Sequence, residues 1–348
     1  MREASGWSDG CGVGMALLLA TSCGSRTGLT SLDDPSGAPS GAGIASCPSG
    51  GPGLDDCGPK RESCCTTLLV QGGTYARTYT NVGGIPNGEA DPATVSSFRL
   101  DKYEVTVGRF RLFVNAWNAG SGWLPSEGSG KHINLHGGAG LENSAARGTF
   151  ESGWVPSDTS NIAPTTGNLT CDPNYATWTS AVAGSDNRPI TCVNWYEAYA
   201  FCIWDGGFLP SEAEWGYAAA GGIALREYPW GATDPGTLNL YALYGCFYPT
   251  EGVCTGSSNI APVGTAALGA GLWGQLDLAG SVWEWSLDGH APYVSPCNDC
   301  AFLGAATLRA VRGGDFSSDT SSLLPADRST GTPQERFSGI GVRCARSP

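Results

Sequence analysis

Charge is scarce in this sequence, and so is histidine. Of 348 residues only 15% are Asp, Glu, Lys or Arg, and His occurs three times. With so few charges, long solvated helices are excluded as the main architecture. Thr66 onward shows no internal repeat and no GxSxG elbow, and no glycine-rich stretch stands as a Walker loop or a dinucleotide fingerprint. The usual hydrolase and nucleotide-binding chemistries therefore find no support. Positive charge is the scarcer sign. The formal net charge is −13, and an acidic surface repels phosphate backbones, which excludes nucleic acid as a partner. What the chain does have is 52 Gly, 22 Pro, 12 Trp and 14 Cys. That composition predicts a loop-rich fold packed from aromatics. The cysteines match no zinc spacing, so disulfides in an oxidising compartment are expected.

Residues 1–23 read as a signal segment. Its apolar run, Val13–Ala20, is too short to span a bilayer. Thr21-Ser22-Cys23-Gly24 then resembles a lipoprotein cleavage site, with Cys23 as the lipidated residue; a plain secretory leader, or a mis-assigned start, are the alternatives. Membrane contact is expected through that lipid only, in the cell envelope. Residues 24–63 are rich in Gly, Ser, Pro and Asp and read as a flexible tether. Cys47, Cys57, Cys64 and Cys65 could pin it with two bridges. A domain over 64–348 follows.

Within that domain, Thr67–Val70 and Phe98–Val105 read as strands. Thr106 caps a helix with Val107, Phe110, Phe113, Val114 and Trp117 on its stripe. Residues 119–189 are a long polar stretch. His132 and His136 there have metal-ligand spacing, but the surrounding glycines argue for a loop. Asn194 with Glu197, and Ser211 with Glu214, form two capping boxes, each opening a helix; Gly221-Gly222 ends the second. Glu214 is explained by its cap rather than by catalysis. Cys171 and Cys192 flank the long stretch. Cys246/Cys254 and Cys297/Cys300 are close enough to close short loops, though Cys297-Asn298-Asp299-Cys300 also has redox spacing.

The chain is organised around Asp277-Leu278-Ala279-Gly280-Ser281-Val282-Trp283-Glu284-Trp285. Alternation predicts a strand with both Trp on one face and Glu284 on the other. This segment resembles the DxAGNVWEW signature of the formylglycine-generating enzyme (sulfatase-modifying factor) family. Four further blocks are similar to the same family in the same order. They are Asp101–Thr106, Leu209–Trp215 with its helix, Tyr228–Gly231 with Asn239-Leu240, and the pair Arg312–Phe316 and Ile340–Arg346.

The resemblance implies an α+β fold, an elaborated C-type-lectin-like domain with small antiparallel sheets, packed helices and much irregular structure. It implies calcium on the carbonyls of Ala279, Gly280 and Val282 and the carboxylate of Glu284, and a second ion at Asn239 and Leu240. Oxygen donors suit that cation. Ser281 stands where the family has Asn. A Cys202–Cys344 disulfide is implied as well. The family's enzymes oxidise a sulfatase cysteine with copper(I) held by two thiolates shortly after the RGGS block. Here Asp315 replaces that Ser, and Ser317–Leu324 contains no Cys. Hydroxyls do not replace thiolates for copper(I), so copper is not expected. The expectation is a non-catalytic peptide- or glycan-binding module using a groove beside Asp315 and Trp283, with a formylglycine-generating oxidase as the alternative.

Overall fold

A computed structural model describes residues 44–47, 50–118, 122–250 and 252–348. The signal segment and Cys23 lie outside the described residues. Strands β1 (Thr67–Val70), β2 (Gly73–Val82), β3 (Ile85–Val95) and β4 (Phe98–Asp101) come first. Helix α1 (Val107–Asn118), strand β5 (Glu142–Asn143) and the helices α2 (Thr166–Leu169), α3 (Trp195–Trp204) and α4 (Glu212–Ala220) follow. The last part holds β6 (Trp283–Gly289), β7 (Cys297–Asn298), β8 (Cys300–Ala301), β9 (Arg309–Arg312), β10 (Ser329–Gly331), β11 (Ile340–Gly341) and β12 (Ala345–Arg346). The architecture is α+β: sheets of two to four mostly short strands, few helices and long irregular connections. No helix among the described residues is long and apolar enough to cross a membrane.

Both capping boxes form. Asn194 accepts from the Glu197 amide and Ser211 from the Glu214 amide, while each Glu reaches back to its cap. Helix α4 ends at Gly221 in the left-handed region (φ 65°), the conformation that favours glycine at a helix terminus. The apolar stripe of α1 packs Phe110 on Phe201 of α3, with ring centroids 5.5 Å apart. Around that contact the larger core gathers Trp154, Trp195, Trp285 and Val311.

The longest strands were not legible as such. Strands β2 and β3 form a hairpin, turning at Gly83-Gly84, both at positive φ. Tyr75, Arg77, Tyr79 and Asn81 alternate inward, and Tyr75 Oη donates to the Ala213 carbonyl at 2.9 Å, fixing the hairpin on α4. The expected final strand, 340–346, is two strands. Strand β11 runs parallel to β6, whereas β12 runs antiparallel to β4 in another sheet. Arg343, between them, is where the chain changes sheets.

The two bridges expected to pin the segment before residue 64 both form. Cys57 is joined to Cys64 and Cys47 to Cys65, so the segment is stapled to the domain. Ser46 is fully buried: its amide donates to Asp205 Oδ1 at 2.8 Å and its hydroxyl accepts from Arg109 Nε at 2.9 Å. The packed domain therefore starts upstream of residue 64. The other disulfides join Cys171 to Cys192, Cys202 to Cys344, Cys246 to Cys254 and Cys297 to Cys300.

Candidate functional site

The sheet ordered β10-β9-β6-β11 carries the site. Along β6, Trp285 is buried and donates Nε1–H to the Val193 carbonyl at 3.1 Å, while Trp283, on the same face, is half-buried. The approach to β6 is a run of tight turns: Asp277, Gly280 and Ser281 all have positive φ. Gly280 is obligatory there, because a Cβ would lie 2.2 Å from the Leu243 carbonyl oxygen. Its amide donates to the Gly313 carbonyl at 2.8 Å, which ties this turn to the one after β9.

That second turn presents Asp315. Asp315 Oδ1 accepts from the amides of Ser317 (3.0 Å) and Ser318 (2.9 Å) and from both hydroxyls (2.9 and 2.8 Å). The carboxylate thus builds its own loop. Asp315 and Trp283 line one cleft of about 290 Å³, together with Val311, Thr330 and Phe337. An aromatic wall, hydroxyls and one acid make a surface that can pack a flat group and accept hydrogen bonds. It offers oxygens, not sulfur: among the described residues every cysteine is in a disulfide. Leu323, in the same loop, is buried against Ala242, Tyr244 and Ala279. The donor set does not fit copper(I).

The calcium ligands divide into two groups. Glu284 is already paired with a protein cation. Its carboxylate receives Arg343 Nε and Nη2, at 2.6 to 2.8 Å, and Trp215 Nε1 at 2.8 Å. A guanidinium already compensates the charge of Glu284, which stands in a buried ion pair, and Ala279, Gly280 and Val282 lie in the run just before β6. Asn239 fits better. It sits at φ 57°, donates from Nδ2 to the Phe247 carbonyl at 3.1 Å, and leaves Oδ1 buried without a partner. An amide oxygen is of the donor type a hard cation takes; Asn239 Oδ1 would hold such an ion, with the neighbouring Leu240 carbonyl, which also accepts from the Leu268 amide at 2.9 Å.

The segment before β6 also buries more acid than base. Glu104 accepts from Ser281 Oγ (3.2 Å) and the Val282 amide (3.3 Å). Burial, then the charges of Asp277 and Glu284, push Glu104 well above the usual carboxylate range. Burial likewise raises Asp277 to about 6, against the opposing pull of the Gly264 amide and Arg343.

His132 and His136 do not converge. His132 lies between Glu151 and Glu214, donating from Nδ1 at 2.9 Å and Nε2 at 3.1 Å; His136 turns to the Gly140 carbonyl. Burial alone would lower the His132 imidazole. The two carboxylates outweigh it and raise the group to about 10. Glu212, sequence-adjacent to the cap, is clamped by Arg312 (2.8 Å) and Arg328 (2.6 Å). Asp288 accepts from the Glu212 and Phe302 amides, and burial with the Glu212 charge lifts it to about 7. His290 makes no contact with it. The pairings of Glu214 with His132, of Glu212 with Arg312 and Arg328, and of Asp288 with the Glu212 amide join residues 76 to 116 positions apart, beyond the reach of local pattern.

Residues 55–348 match the family described as the sulfatase-modifying factor enzyme 1-like domain. A formylglycine-generating enzyme of Streptomyces coelicolor is 37% identical over 175 residues, covering 48% of this chain and 55% of that protein. The formylglycine-generating enzyme of Thermomonospora curvata is 29% identical across 81% of this chain and 93% of its own length. A mouse protein named inactive C-alpha-formylglycine-generating enzyme 2 is 32% identical over 46% of this chain and 49% of its own. The chain thus spans about half the length of two of these relatives and nearly all of the third. Among solved structures, PvdO from Pseudomonas aeruginosa superposes with a TM-score of 0.55 at 19% identity, over 86% of this chain and 100% of that one, a likeness of fold.

Proposed function

The chain belongs to the sulfatase-modifying factor family, and from that premise we propose a non-catalytic binding module that takes a peptide or glycan in the cleft beside Trp283 and Asp315. One observation carries the reading: the loop after the β9 turn is built on Asp315 with Ser317 and Ser318, so oxygen donors occupy the stretch where the family's copper thiolates are expected. Copper(I) selects soft ligands, and a carboxylate with two hydroxyls is a hard set. Trp283 and Phe337 supply apolar walls, and Thr330 and the free Oδ2 side of Asp315 supply polar contacts.

On this reading the protein is exported and held at the cell envelope by lipid on Cys23. Six disulfides support an oxidising compartment. Calcium is bound at Asn239 and Leu240 and organises the loop there. Mass spectrometry of the mature N-terminus tests the anchor.

The decisive experiment is copper(I) titration of the intact chain, followed by incubation with a cysteine-containing peptide and O₂. The expected result is no stoichiometric tight copper and no aldehyde product. Tight binding with conversion of the cysteine to formylglycine would replace this reading by the oxidase.

A further inference from the structure

Two residues along β9 from Val311 stands Arg309, on the same face of the strand by the period of two. It is only partly buried, and like the buried Arg77 it differs from the fully buried arginines of the core. Arg109, Arg312 and Arg343 each meet a carboxylate at 2.6 to 2.9 Å. Arg309 meets none within 4 Å among the described residues. Its one hydrogen bond is Nη1 to the Leu287 carbonyl at 3.0 Å, and its guanidinium lies over the Trp195 ring at 3.8 Å. Its Nε–H is buried with no partner. A partly buried cation with a shielded, unpartnered N–H is costly unless something meets it.

What it faces is a separate cavity of about 160 Å³. Trp195 and Tyr199 form an aromatic wall and Leu287 and Leu303 an apolar one. Two acids line it. Glu151 is already engaged, accepting from the His132 ring and from the amides of His132 and Leu141. Asp158 is not: its carboxylate makes no hydrogen bond among the described residues, although it lines the same cavity as Arg309 and is not within ion-pair distance of it. The cavity therefore presents one cation with spare N–H groups, one anion with spare oxygens, and an apolar wall alongside.

We propose that this cavity binds a small amphoteric molecule, a free α-amino acid with an apolar side chain, its carboxylate on the Arg309 guanidinium and its ammonium on Asp158. A simple anion would leave Asp158 opposed by like charge, and a simple amine would leave Arg309 unmet. Only a ligand carrying both signs satisfies both, and Leu287 with Leu303 receives its apolar end. Binding here does not depend on the cleft at Asp315 or on any metal, so it stands or falls apart from the function proposed above.

The test is isothermal titration of the full chain with L-leucine, with isocaproate (which lacks the ammonium) and with isoamylamine (which lacks the carboxylate). L-leucine is expected to saturate a single site. Each analogue, and each of Arg309→Met and Asp158→Asn with L-leucine, is expected to bind about tenfold more weakly or worse, the loss of one charged hydrogen bond. Asp158 lies in a short 3-10 helix, Pro156–Asn161, and is only partly buried, so Asp158→Asn remains informative if Arg309→Met does not fold. No heat with L-leucine on the wild-type chain, equal affinity for isocaproate and L-leucine, or an unchanged Asp158→Asn variant would each overturn the proposal.

Discussion

Arg343 holds Glu284 through Nε and Nη2, with neither side chain reaching water, and the same Nη2 donates to the Leu276 carbonyl at 2.9 Å. This pair joins the residue between the two Trp of β6 to the point where the chain leaves β11 for β12. Removing one partner strands a charge in the core. Arg343→Met is expected to cost about 3–5 kcal/mol, and the double variant with Glu284→Gln to recover part of that loss. Urea unfolding of the wild type and these two variants measures both quantities. A double variant no more stable than Arg343→Met would deny that the stranded charge is the cause.

Calcium is expected to stabilise through Asn239, not Glu284. Adding calcium after EDTA treatment should raise the melting temperature of the wild type. Asn239→Ala should abolish the rise, because it removes the orphaned Oδ1. Glu284→Gln should lower the starting stability yet keep the calcium increment. An increment lost in Glu284→Gln and kept in Asn239→Ala would reverse the assignment.

His132 makes stability depend on alkaline pH. Its pKa is raised from 6.5 to about 10 in the folded chain, since Glu214 and Glu151 favour the imidazolium more than burial disfavours it. A group raised on folding contributes fully below its unfolded value and loses that contribution as pH climbs through the folded value. The melting temperature is therefore expected to fall between pH 7 and pH 10. His132→Gln should be less stable at pH 6 and show a flatter profile over that range. A wild-type profile as flat as that of the variant would show that the His132 imidazolium is not what the two glutamates stabilise.

The Cys202–Cys344 bond closes 142 residues of chain and sits between α3 and the start of β12. Replacing both cysteines by Ala should destabilise by about 2–5 kcal/mol, more than opening Cys246–Cys254, which spans 8 residues. Thermal unfolding of the two double variants ranks them, and equal losses would count against a loop-length origin.

What could be read in advance was whatever the chain states locally. Asn194 with Glu197 and Ser211 with Glu214 announce α3 and α4 because a cap and its partner are three residues apart. The Trp283-Glu284-Trp285 alternation announces β6 for the same reason. The β2–β3 hairpin escaped because Pro86 and Pro92 fall inside β3, and proline argues against a strand; both are accommodated in a strand whose other neighbour, β7, reaches it only at Ala93 and Thr94. The fate of Glu284 was hidden because its partner is 59 positions away. Arg309 carried no signal at all: its interest lies in the carboxylate it does not meet. The segment before residue 64 was legible in its two bridges and not in its buried serine. Gly, Ser and Pro usually mark slack chain, which two disulfides and Ser46 pin here.

The passage of residues 340–346 from one sheet to another sets an order of events. Strand β6 finds its β11 neighbour, β4 its β12 neighbour, and Cys202 its disulfide partner only when this last stretch has arrived. Everything made before it waits with an open edge and an unspent thiol. Residues 340–346 thus act as a clasp shared by two sheets, and neither sheet is complete without them.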